Sequence, residues 1–551
     1  MLKGMLSTSI RLRHDPARVS ALAVLLLLTS VWPMAATDYF VREKGDDAAT
    51  GTSPDAAWRS IDRVNRTRLR PGDRVRFEAS TSFAGNLRLS AEDAGTSNAP
   101  VVIGSFGEGR ATILAGRQNG ITVQNAGGVA IENLIVAGAG RTTNTGYGIL
   151  CDNTLTNGQR LDGLRIANVE ARGFGLLGIL IGGAYAGFEH VLVTNCVLHD
   201  NLHGGMEVAG RLPWGAIAYA HADVLVSHCK TFDNTGDPDF LKNHSGSGIV
   251  FYQIDGGVME YCTSWNNGAL CRSQSGGVGL WTCSSRRVVI EHCESFGNRT
   301  SGGDGGGFDI DGGSVDCVLQ YNYSHDNDGP GLMVYTYAYA TRSDLGAVVR
   351  FNISENDSRK GPRYAGLWVR SDGKVITGVQ IYNNTVVIGP WTDQAALINA
   401  HAIEATMRNN IFIAKAPAVP LRVEEPGETV RFENNLYWRE GGPTEITWGT
   451  QTFSSLQEWR THTGQEVLSG EPMGLFADPL LSQHSNYHPQ PNYPGLQELR
   501  AFRPLPGSPA LAGGLDLRKK FGMDTGDRDF LGPLPVAGGF PLGAIGTTQM
   551  E

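Results

Sequence analysis

Two aspartates, Asp309 and Asp311, stand two residues apart in the segment GFDIDG, where they alternate with Phe308 and Ile310. Successive side chains of a β-strand point to opposite faces, so we expect the apolar pair inside and both carboxyls outside, with backbones about 6.5–7 Å apart. Such a pair suits hydrolysis of a glycosidic bond, because one carboxyl protonates the leaving oxygen while the other activates water. The pattern therefore predicts Asp309 and Asp311 as a catalytic acid/base pair.

Similar segments, each beginning with glycine, recur on both sides of this pair. Examples are GMEVAG, GIVFYQ, GLWTC, GLMVYT and GLWVRS. Aligning them with GFDIDG gives two outward columns of residues, which mix acids with indole, phenol and guanidinium groups. This composition is unusual for a solvated face and favours a binding surface. The first column contains Glu207, Val250, Trp281, Asp309, Met333 and Trp368, and the second contains Ala209, Tyr252, Cys283, Asp311, Tyr335 and Arg370.

Several members of these columns suit sugar binding. Trp281 and Trp368 are expected to stack on sugar rings, and Arg370 is expected to hold a carboxylate or hydroxyls. His325 is expected to enter the rung after Asp311 and lie close to it, although its repeat position is typical of a turn. The predicted substrate-binding residues are Tyr252, Trp281, His325, Tyr335, Trp368 and Arg370.

Other roles for the carboxylates stay open. Asp304, Asp309 and Asp311 could together bind Ca²⁺, or cap nearby turn amides. We expect no required cofactor, with Ca²⁺ as the one candidate metal. Glu207 lies three repeats from Asp309, about 14 Å away, which is too far for a direct catalytic partner.

The elements that position these residues come from a repeat of 25 to 33 residues. Its units include VTNCVLHDN, VSHCKTFDN, MEYCTSWNN, IEHCESFGN and LQYNYSHDN, which alternate apolar and polar residues and end in turn residues. Two or three short strands per repeat, stacked about 4.8 Å apart, predict an all-β parallel β-helix of about ten or more rungs, a rung being one turn of the solenoid. The 72 glycines are expected at strand entries and rung corners.

One column of the repeat carries a buried ladder. It contains Val169, Cys196, Cys229, Cys262, Cys293, Asn322, Asn352, Asn384, Asn410 and Asn435. Equivalent side chains of adjacent rungs lie over one another, so the asparagines can hydrogen-bond as an internal amide ladder. For the cysteines we favour a buried thiol stack over disulfides, which an even number of cysteines in an exported protein also allows.

The chain resembles the right-handed parallel β-helix superfamily that includes pectate lyases and polygalacturonases. The resemblance rests on YFVREKGDDAATGTSPDAAWRSIDRVN and RPGDRVRFEAS near the start, on GDGGGFDIDGGSVDCVLQYNYSHDNDGPG in the middle, and on FADPLL and PLPGSPALAGG near the end. It implies an entry strand, an N-terminal capping helix and a carbohydrate-active protein. The family's polygalacturonase motifs are not intact here, so no catalytic residue is carried over from them.

The ends of the chain suggest export and capping. Residues 1–36 have a basic start and an apolar run, which predict a cleaved signal peptide and a secreted or periplasmic protein without a membrane span. Residues 37–120 are expected to form the N-terminal cap and first coils, residues 121–440 the β-helix core, and residues 441–551 an irregular C-terminal cap. The net charge of −9 argues against nucleic acid as a partner.

These observations predict an exported, monomeric enzyme that hydrolyses a polysaccharide or oligosaccharide. Two alternatives remain. One is a polysaccharide lyase or C5 epimerase that acts on a uronate-containing glycan, for which Arg370 is a candidate base although neither column contains lysine. The other is a non-catalytic glycan-binding surface protein.

Overall fold

Each turn of the chain adds one strand to each of three long parallel sheets. The computed structural model describes residues 36–212, 218–340, 342–399, 402–482, 496, 499, 501–533 and 540–546. In this part of the chain each sheet follows a path of fourteen strands, and every third strand along the chain pairs with the same sheet. This arrangement confirms the predicted parallel β-helix and its number of rungs. The predicted signal peptide lies outside the described residues, apart from Ala36.

The strands are named below by their residue ranges. Sheet 1 contains Asp38–Val41, Arg74–Glu78, Val101–Phe106, Val129–Glu132, Leu161–Ala167, Phe188–Thr194, His221–Ser227, Ile254–Glu260, Arg286–Glu291, Val318–Gln320, Val348–Arg350, Ile376–Tyr382, Ile403–Arg408 and Val430–Glu433, with Asp344–Leu345 paired beside it. Sheet 2 contains Ser82–Ala84, Ala111–Gly116, Leu134–Gly138, Glu170–Arg172, Val197–His199, Lys230–Phe232, Thr263–Trp265, Glu294–Phe296, Tyr323–His325, Ile353–Glu355, Thr385–Ile388, Ile411–Lys415, Leu436–Glu440 and Leu475–Phe476. Sheet 3 contains Leu87–Leu89, Ile121–Gln124, Ile149–Asn153, Leu177–Gly183, Gly204–Gly210, Ser247–Tyr252, Leu280–Cys283, Phe308–Asp311, Leu332–Tyr337, Leu367–Asp372, Gln394–Asn399, Val419–Glu424, Ile446–Trp448 and Gln451–Phe453.

Helices are short and come either before residue 100 or after residue 453 in the chain. The α-helices are Ile61–Asn65, Leu456–Thr463 and Leu517–Phe521, the 3₁₀ helices are Pro54–Ala56 and Ala91–Asp93, and Val467–Leu468 pairs with Glu471–Pro472 in a small antiparallel sheet. Ser60 and Ser455 cap the N-termini of the first two α-helices by accepting backbone N–H groups. The assignment of these segments as caps of the solenoid stays a prediction. In the described residues no helix is long and apolar enough to cross a membrane.

The corner between sheets 1 and 2 differs from our expectation. Glycine was expected at the corners, but most rungs turn here through an asparagine, histidine or tyrosine in the left-handed region, such as Asn195, His228 and Tyr261, with φ of 53°, 56° and 52°. Asparagine adopts this conformation at low cost because its short polar side chain hydrogen-bonds locally. The later aromatic members stack on one another from rung to rung, with 5.2 Å between the Tyr261 and His292 rings.

The ladder column has the predicted structure. All eight cysteines are free and buried, which confirms the thiol stack rather than disulfides. The backbone N–H of Cys229 contacts Sγ of Cys262 at 3.4 Å, and that of Cys293 donates to Oδ1 of Asn322 at 2.9 Å. From there amide side chains continue the column, with 3.0 Å from Nδ2 of Asn322 to Oδ1 of Asn352.

Candidate active site

A groove on the outer face of sheet 3 gathers most of the predicted site residues. Its volume is about 560 Å³, and it extends across five neighbouring strands, from Gly204–Gly210 to Leu332–Tyr337. The predicted residues that line it are Tyr252, Trp281, Asp304, Asp309, Asp311 and Tyr335.

The floor of the groove follows the predicted register. Glu207 pairs with Val250, Val250 with Trp281, and Trp281 with Asp309 in successive strands of sheet 3. The next strand places Met333 beside Asp309. Phe308 and Ile310 are fully buried on the opposite face, as the alternation predicts. The floor is therefore an apolar strip with a carboxyl group near each end.

Burial in the groove raises the pKa values of both Asp311 and Asp304. Desolvation and, to a smaller extent, the nearby charge of Asp304 raise the pKa of Asp311 to about 7, against a hydrogen bond of 2.7 Å from the backbone N–H of Gly312. Desolvation also raises the pKa of Asp304 to about 6. Between about pH 6 and pH 7 Asp304 can therefore be ionised while Asp311 is still protonated.

Asp304 reaches the groove from the glycine-rich loop that precedes strand Phe308–Asp311. The loop packs directly on the equivalent loop of the rung before it: a Cβ at Gly303 would lie 2.0 Å from the carbonyl oxygen of Gln274. The backbone of Asp304 is in the left-handed region, with a φ of 51°. Its carboxyl accepts the backbone N–H of Gly276 at 2.9 Å, and its own N–H donates to Oη of Tyr364 at 2.8 Å. These contacts hold the Asp304 carboxyl at the groove.

Asp309 occupies a different environment from Asp311. It is only 3% exposed and lies in the floor column between Trp281 and Met333. Asp311 is half-buried at the end of the same strand. The structure thus brings all three aspartates to one groove but exposes them unequally. Among the described residues no group of three or more His, Cys, Asp or Glu side chains is arranged to hold a metal ion. Ca²⁺ binding by these aspartates stays an alternative prediction.

Residues 158–386 match a family model described as a right-handed β-helix region. The chain is a right-handed parallel β-helix. This finding confirms the fold that the sequence resemblance implies.

Two relatives of the β-helix share a named activity. Over 512 residues the chain is 23% identical to a lacto-N-biosidase of Bifidobacterium longum subsp. longum, an alignment that covers 74% of this chain and 31% of that protein. The chain therefore spans about a third of this relative. A crystal structure of a GH136 lacto-N-biosidase from Eubacterium ramulus is similar with a TM-score of 0.51 and 18% identity, covering 72% of this chain and 67% of that one. A pectate lyase, Pel9A, aligns over 93% of this chain and 97% of its own with a TM-score of 0.41 and 15% identity.

Trp368 and Arg370 of the β-helix do not line the groove cavity. Trp368 is 3% exposed, stacks on Tyr335 at 5.8 Å and meets the ring of Tyr364 edge-on at 5.0 Å. Arg370 pairs with Asp372 at 2.6 Å. Trp368 instead packs against the groove residue Tyr335 and supports Tyr364, the tyrosine that contacts Asp304, whereas the guanidinium of Arg370 lies over the Trp368 ring.

His325 lies on sheet 2, away from the groove of the β-helix. Its Nδ1 contacts Asp326 at 2.9 Å and its Nε2 contacts Glu294 at 3.3 Å. Its ring stacks on Phe296 at 4.7 Å. The expectation that it enters the rung close to Asp311 is therefore corrected: strand Tyr323–His325 belongs to a different sheet from strand Phe308–Asp311, and a turn of the chain separates them.

Some groove residues were missed because they lie outside the aligned strand pattern. Tyr339, which is 68% exposed, and His244 and Lys242 come from loops beside the groove. Tyr337 lies two residues after Tyr335 in the same strand, so the strand alternation also predicts it on the groove face. Loop residues carry no repeat signal, so only their glycine-rich or aromatic composition hinted at the groove walls.

Proposed function

We propose that this β-helix is a glycoside hydrolase in which Asp304 and Asp311 form the acid/base pair. The observation that carries the proposal is that both carboxyls line one desolvated groove, where the Asp304 charge raises the pKa of Asp311. Asp311 keeps the role predicted from sequence. We propose Asp304 rather than Asp309 as its partner in acid/base catalysis, because Asp309 is buried in the groove floor.

The reaction requires one protonated and one ionised carboxyl at the same bond. The protonated group gives its proton to the leaving glycosidic oxygen as the bond to the anomeric carbon breaks. The ionised group either attacks that carbon or takes a proton from the attacking water, and the carboxyl separation decides between these routes. The raised pKa values of Asp304 and Asp311 supply the mixed protonation state near neutral pH.

The named relatives suggest the first substrate to test. Both are lacto-N-biosidases, so we propose a lacto-N-bioside as a candidate substrate within the broader class of oligosaccharides. Export to the periplasm or the medium, proposed from residues 1–36, would bring the enzyme to such glycans. Calcium is not needed for the proposed steps.

Lyase or epimerase chemistry needs a base to remove a carbon-bound proton. The groove offers phenols, but burial raises the pKa of Tyr252 to about 12 and also raises the pKa of Tyr335. Arg211 of the groove is paired with Asp152 at 2.7 Å, and Arg370 does not line the cavity. His244, which is 4.0 Å from Glu207, and Lys242 also line the groove, but they come from the loop near Glu207 rather than from the strand that carries Asp311. This arrangement favours hydrolysis over proton abstraction at the aspartates.

A substrate screen tests the proposal directly. Purified enzyme is incubated with a chromogenic lacto-N-bioside and with a panel of polysaccharides, and products are read as released aglycone, reducing ends and ultraviolet absorbance. We expect new reducing ends without absorbance from unsaturated uronides. Asp304→Asn and Asp311→Asn should abolish release while the circular dichroism spectrum stays unchanged. Absorbance would indicate a lyase, and full activity of both variants would reject the pair.

Asp309→Asn separates the two candidate pairs. If Asp309 rather than Asp304 is the partner, Asp309→Asn abolishes turnover and Asp304→Asn retains most of it. Proton NMR of the first product then reports the anomer formed, which distinguishes attack by a carboxylate from attack by water. Asp55→Asn on the exposed surface is the matched control.

A further inference from the structure

The far end of the groove carries a second group of polar side chains that the proposed chemistry does not use. Glu207 lies three strands from Asp309 along the floor column, and adjacent strands are about 4.8 Å apart, so the two backbones are about 14 Å apart. His244 and Lys242 enter the same end from the loop before strand Ser247–Tyr252. This distance excludes Glu207 from the bond-breaking step but keeps it within the same cavity.

Glu207 and His244 face each other across a gap. Oε1 of Glu207 is 4.0 Å from Nδ1 of His244, which is too long for a hydrogen bond but suits one oxygen atom placed between them. Within the described residues, Nδ1 of His244 is buried and makes no hydrogen bond. The ring is held in place by an edge-on contact of 4.7 Å with Trp281. The His244 ring is therefore held with its Nδ1 near the Glu207 carboxyl.

Both side chains are suited to an uncharged ligand. Desolvation raises the pKa of Glu207 to about 7 and lowers that of His244 to about 3. A protonated carboxyl donates a hydrogen bond, and a neutral imidazole nitrogen accepts one. A hydroxyl group satisfies both, since it is donor and acceptor at once. A carboxylate would need a donor at each of its oxygens and would be repelled once Glu207 ionises.

Between this pair and Asp309 the floor is apolar. Val250 is 1% exposed and Trp281 is 7% exposed, and they occupy the two strands that separate Glu207 from Asp309. The C–H face of a pyranose ring packs well on such a strip, whereas its hydroxyls point to the rim. A hexose unit is comparable in length to the rung spacing, so a chain of sugars can run across the strands along this column.

We infer that Glu207 and His244 form a distal subsite that binds a ring hydroxyl of a neutral oligosaccharide, three strands from the strand that carries Asp311. The inference rests on the proposed function for the location of the reacting bond. It assigns the groove an extended, uncharged substrate rather than a single sugar or a uronate polymer. Lys242 at the rim is exposed and is available for further hydroxyl contacts.

Binding to a glycan array tests the subsite without turnover. The Asp304→Asn, Asp311→Asn double variant is applied to an array of neutral, uronate-containing and sialylated oligosaccharides of graded length. We expect retention on neutral glycans of three or more sugars, and at least ten-fold weaker binding after Glu207→Ala or His244→Ala in the same background. Retention restricted to acidic glycans, binding unaffected by both substitutions, or no retention at all would overturn the subsite.

Steady-state kinetics on oligosaccharides of different length provide a second test of the subsite. With a cleaved oligosaccharide series, Glu207→Ala should lower kcat/KM at least ten times more for the longest member than for the shortest, whereas Glu207→Gln, which keeps a donor and an acceptor, should lower it less. An equal loss at every length would contradict a distal role. If no substrate is cleaved but the array result holds, the proposed hydrolysis fails and the binding subsite stands. Tyr185→Ala, an exposed residue outside the groove lining, is the control.

Discussion

The side-chain amide of Asn435 donates to Oε1 of Glu466 at 2.9 Å, and the backbone N–H of Asn435 donates to the same oxygen at 3.1 Å. Oε1 also accepts the hydroxyl of Tyr437 at 2.8 Å, and Oε2 accepts the backbone N–H of Asn434. The amide ladder of the solenoid thus ends on a buried carboxyl from a later segment. All four groups that contact the Glu466 carboxyl donate hydrogen bonds to it, so the position requires a side chain with two acceptor oxygens.

Replacing Glu466 should destabilise the protein. Glu466→Ala leaves buried N–H and O–H donors of the ladder unsatisfied, at a cost of about 2–3 kcal/mol. Glu466→Gln should also destabilise, because its NH₂ group would face a donor. Urea unfolding followed by tryptophan fluorescence measures both effects. The exposed Glu471 provides the control variant Glu471→Ala, and equal stability of the three variants would contradict the role of Glu466.

An interruption in the middle of the ladder should have a similar effect. Asn352 donates to the carbonyl oxygen of Leu319 at 2.8 Å and to Asn384 at 3.0 Å, and it accepts from Asn322 at 3.0 Å. Asn352→Ala removes these bonds inside the core, so we expect a loss of about 2 kcal/mol or more in the free energy of unfolding. Asn157→Ala, at an exposed site, should change it by less than about 0.5 kcal/mol. Similar values for both would show that the ladder adds no stability.

Asp311 should oppose stability while it supports activity. Its pKa is raised to about 7 in the folded state, so the folded protein binds a proton more tightly than the unfolded chain, and stability falls as pH rises from about 4 to about 7. Asp311→Asn removes this loss. At pH 8 we expect the melting temperature to rise by about 2 °C, while kcat/KM falls by about 10²- to 10⁴-fold. A variant that is both inactive and less stable would argue for a structural carboxylate.

His325 should act as a buried cation rather than a substrate ligand. Burial opposes its charge, but hydrogen bonds to Asp326 and Glu294 raise the pKa to about 9. The stability it contributes is present in full below about pH 6.5 and is lost as pH rises through 9. His325→Gln leaves Glu294 buried beside a neutral group, so we expect a loss of about 3 kcal/mol at pH 7 and a flatter melting profile between pH 7 and 9.5.

Activity separates the two roles of His325. The kcat/KM of the folded variant at pH 7 should match that of the unmodified enzyme, because His325 lies on sheet 2. Exposed His462→Gln is the control for the melting profile. A steep drop in kcat/KM with unchanged stability would restore the substrate-binding hypothesis.

Truncation of two aromatic residues near the groove should affect different properties, stability for one and substrate binding for the other. Trp368 is 3% exposed and packs on Tyr335 and Tyr364, so Trp368→Ala should cost about 3–5 kcal/mol of stability. Tyr339 is 68% exposed at the groove wall, and Tyr339→Ala should raise KM about three- to ten-fold with little change in melting temperature. Calorimetry and steady-state kinetics on the same preparations measure both. A soluble, stable Trp368→Ala protein with raised KM would reverse the assignment.

A second amide ladder shows how a pattern can be present in sequence and still be misinterpreted. Asn201, Asn234 and Asn267 end repeat units and predict turns, yet they are fully or almost fully buried and bond to one another, with 3.0 Å from Nδ2 of Asn201 to Oδ1 of Asn234. The column ends at Asp357, whose Oδ1 accepts a hydrogen bond of 2.8 Å from Nδ2 of Asn327. Turn propensity and ladder formation favour the same residue type, so composition alone does not distinguish them.

The strands, their register and the columns of the groove floor were determined by the sequence alone. Backbone pairing repeats in every rung, and the alternation of Phe308 and Ile310 with Asp309 and Asp311 then assigns the faces. Only the tertiary structure decided that Asp304 and Asp311 line one groove, that the indole of Trp368 is buried, and that His325 lies on another sheet. Asp304 and His244 stand on loops whose lengths change from rung to rung, so no period predicts their approach. Periodic hydrogen bonding specifies a scaffold, whereas the site depends on non-periodic loops that pack across it.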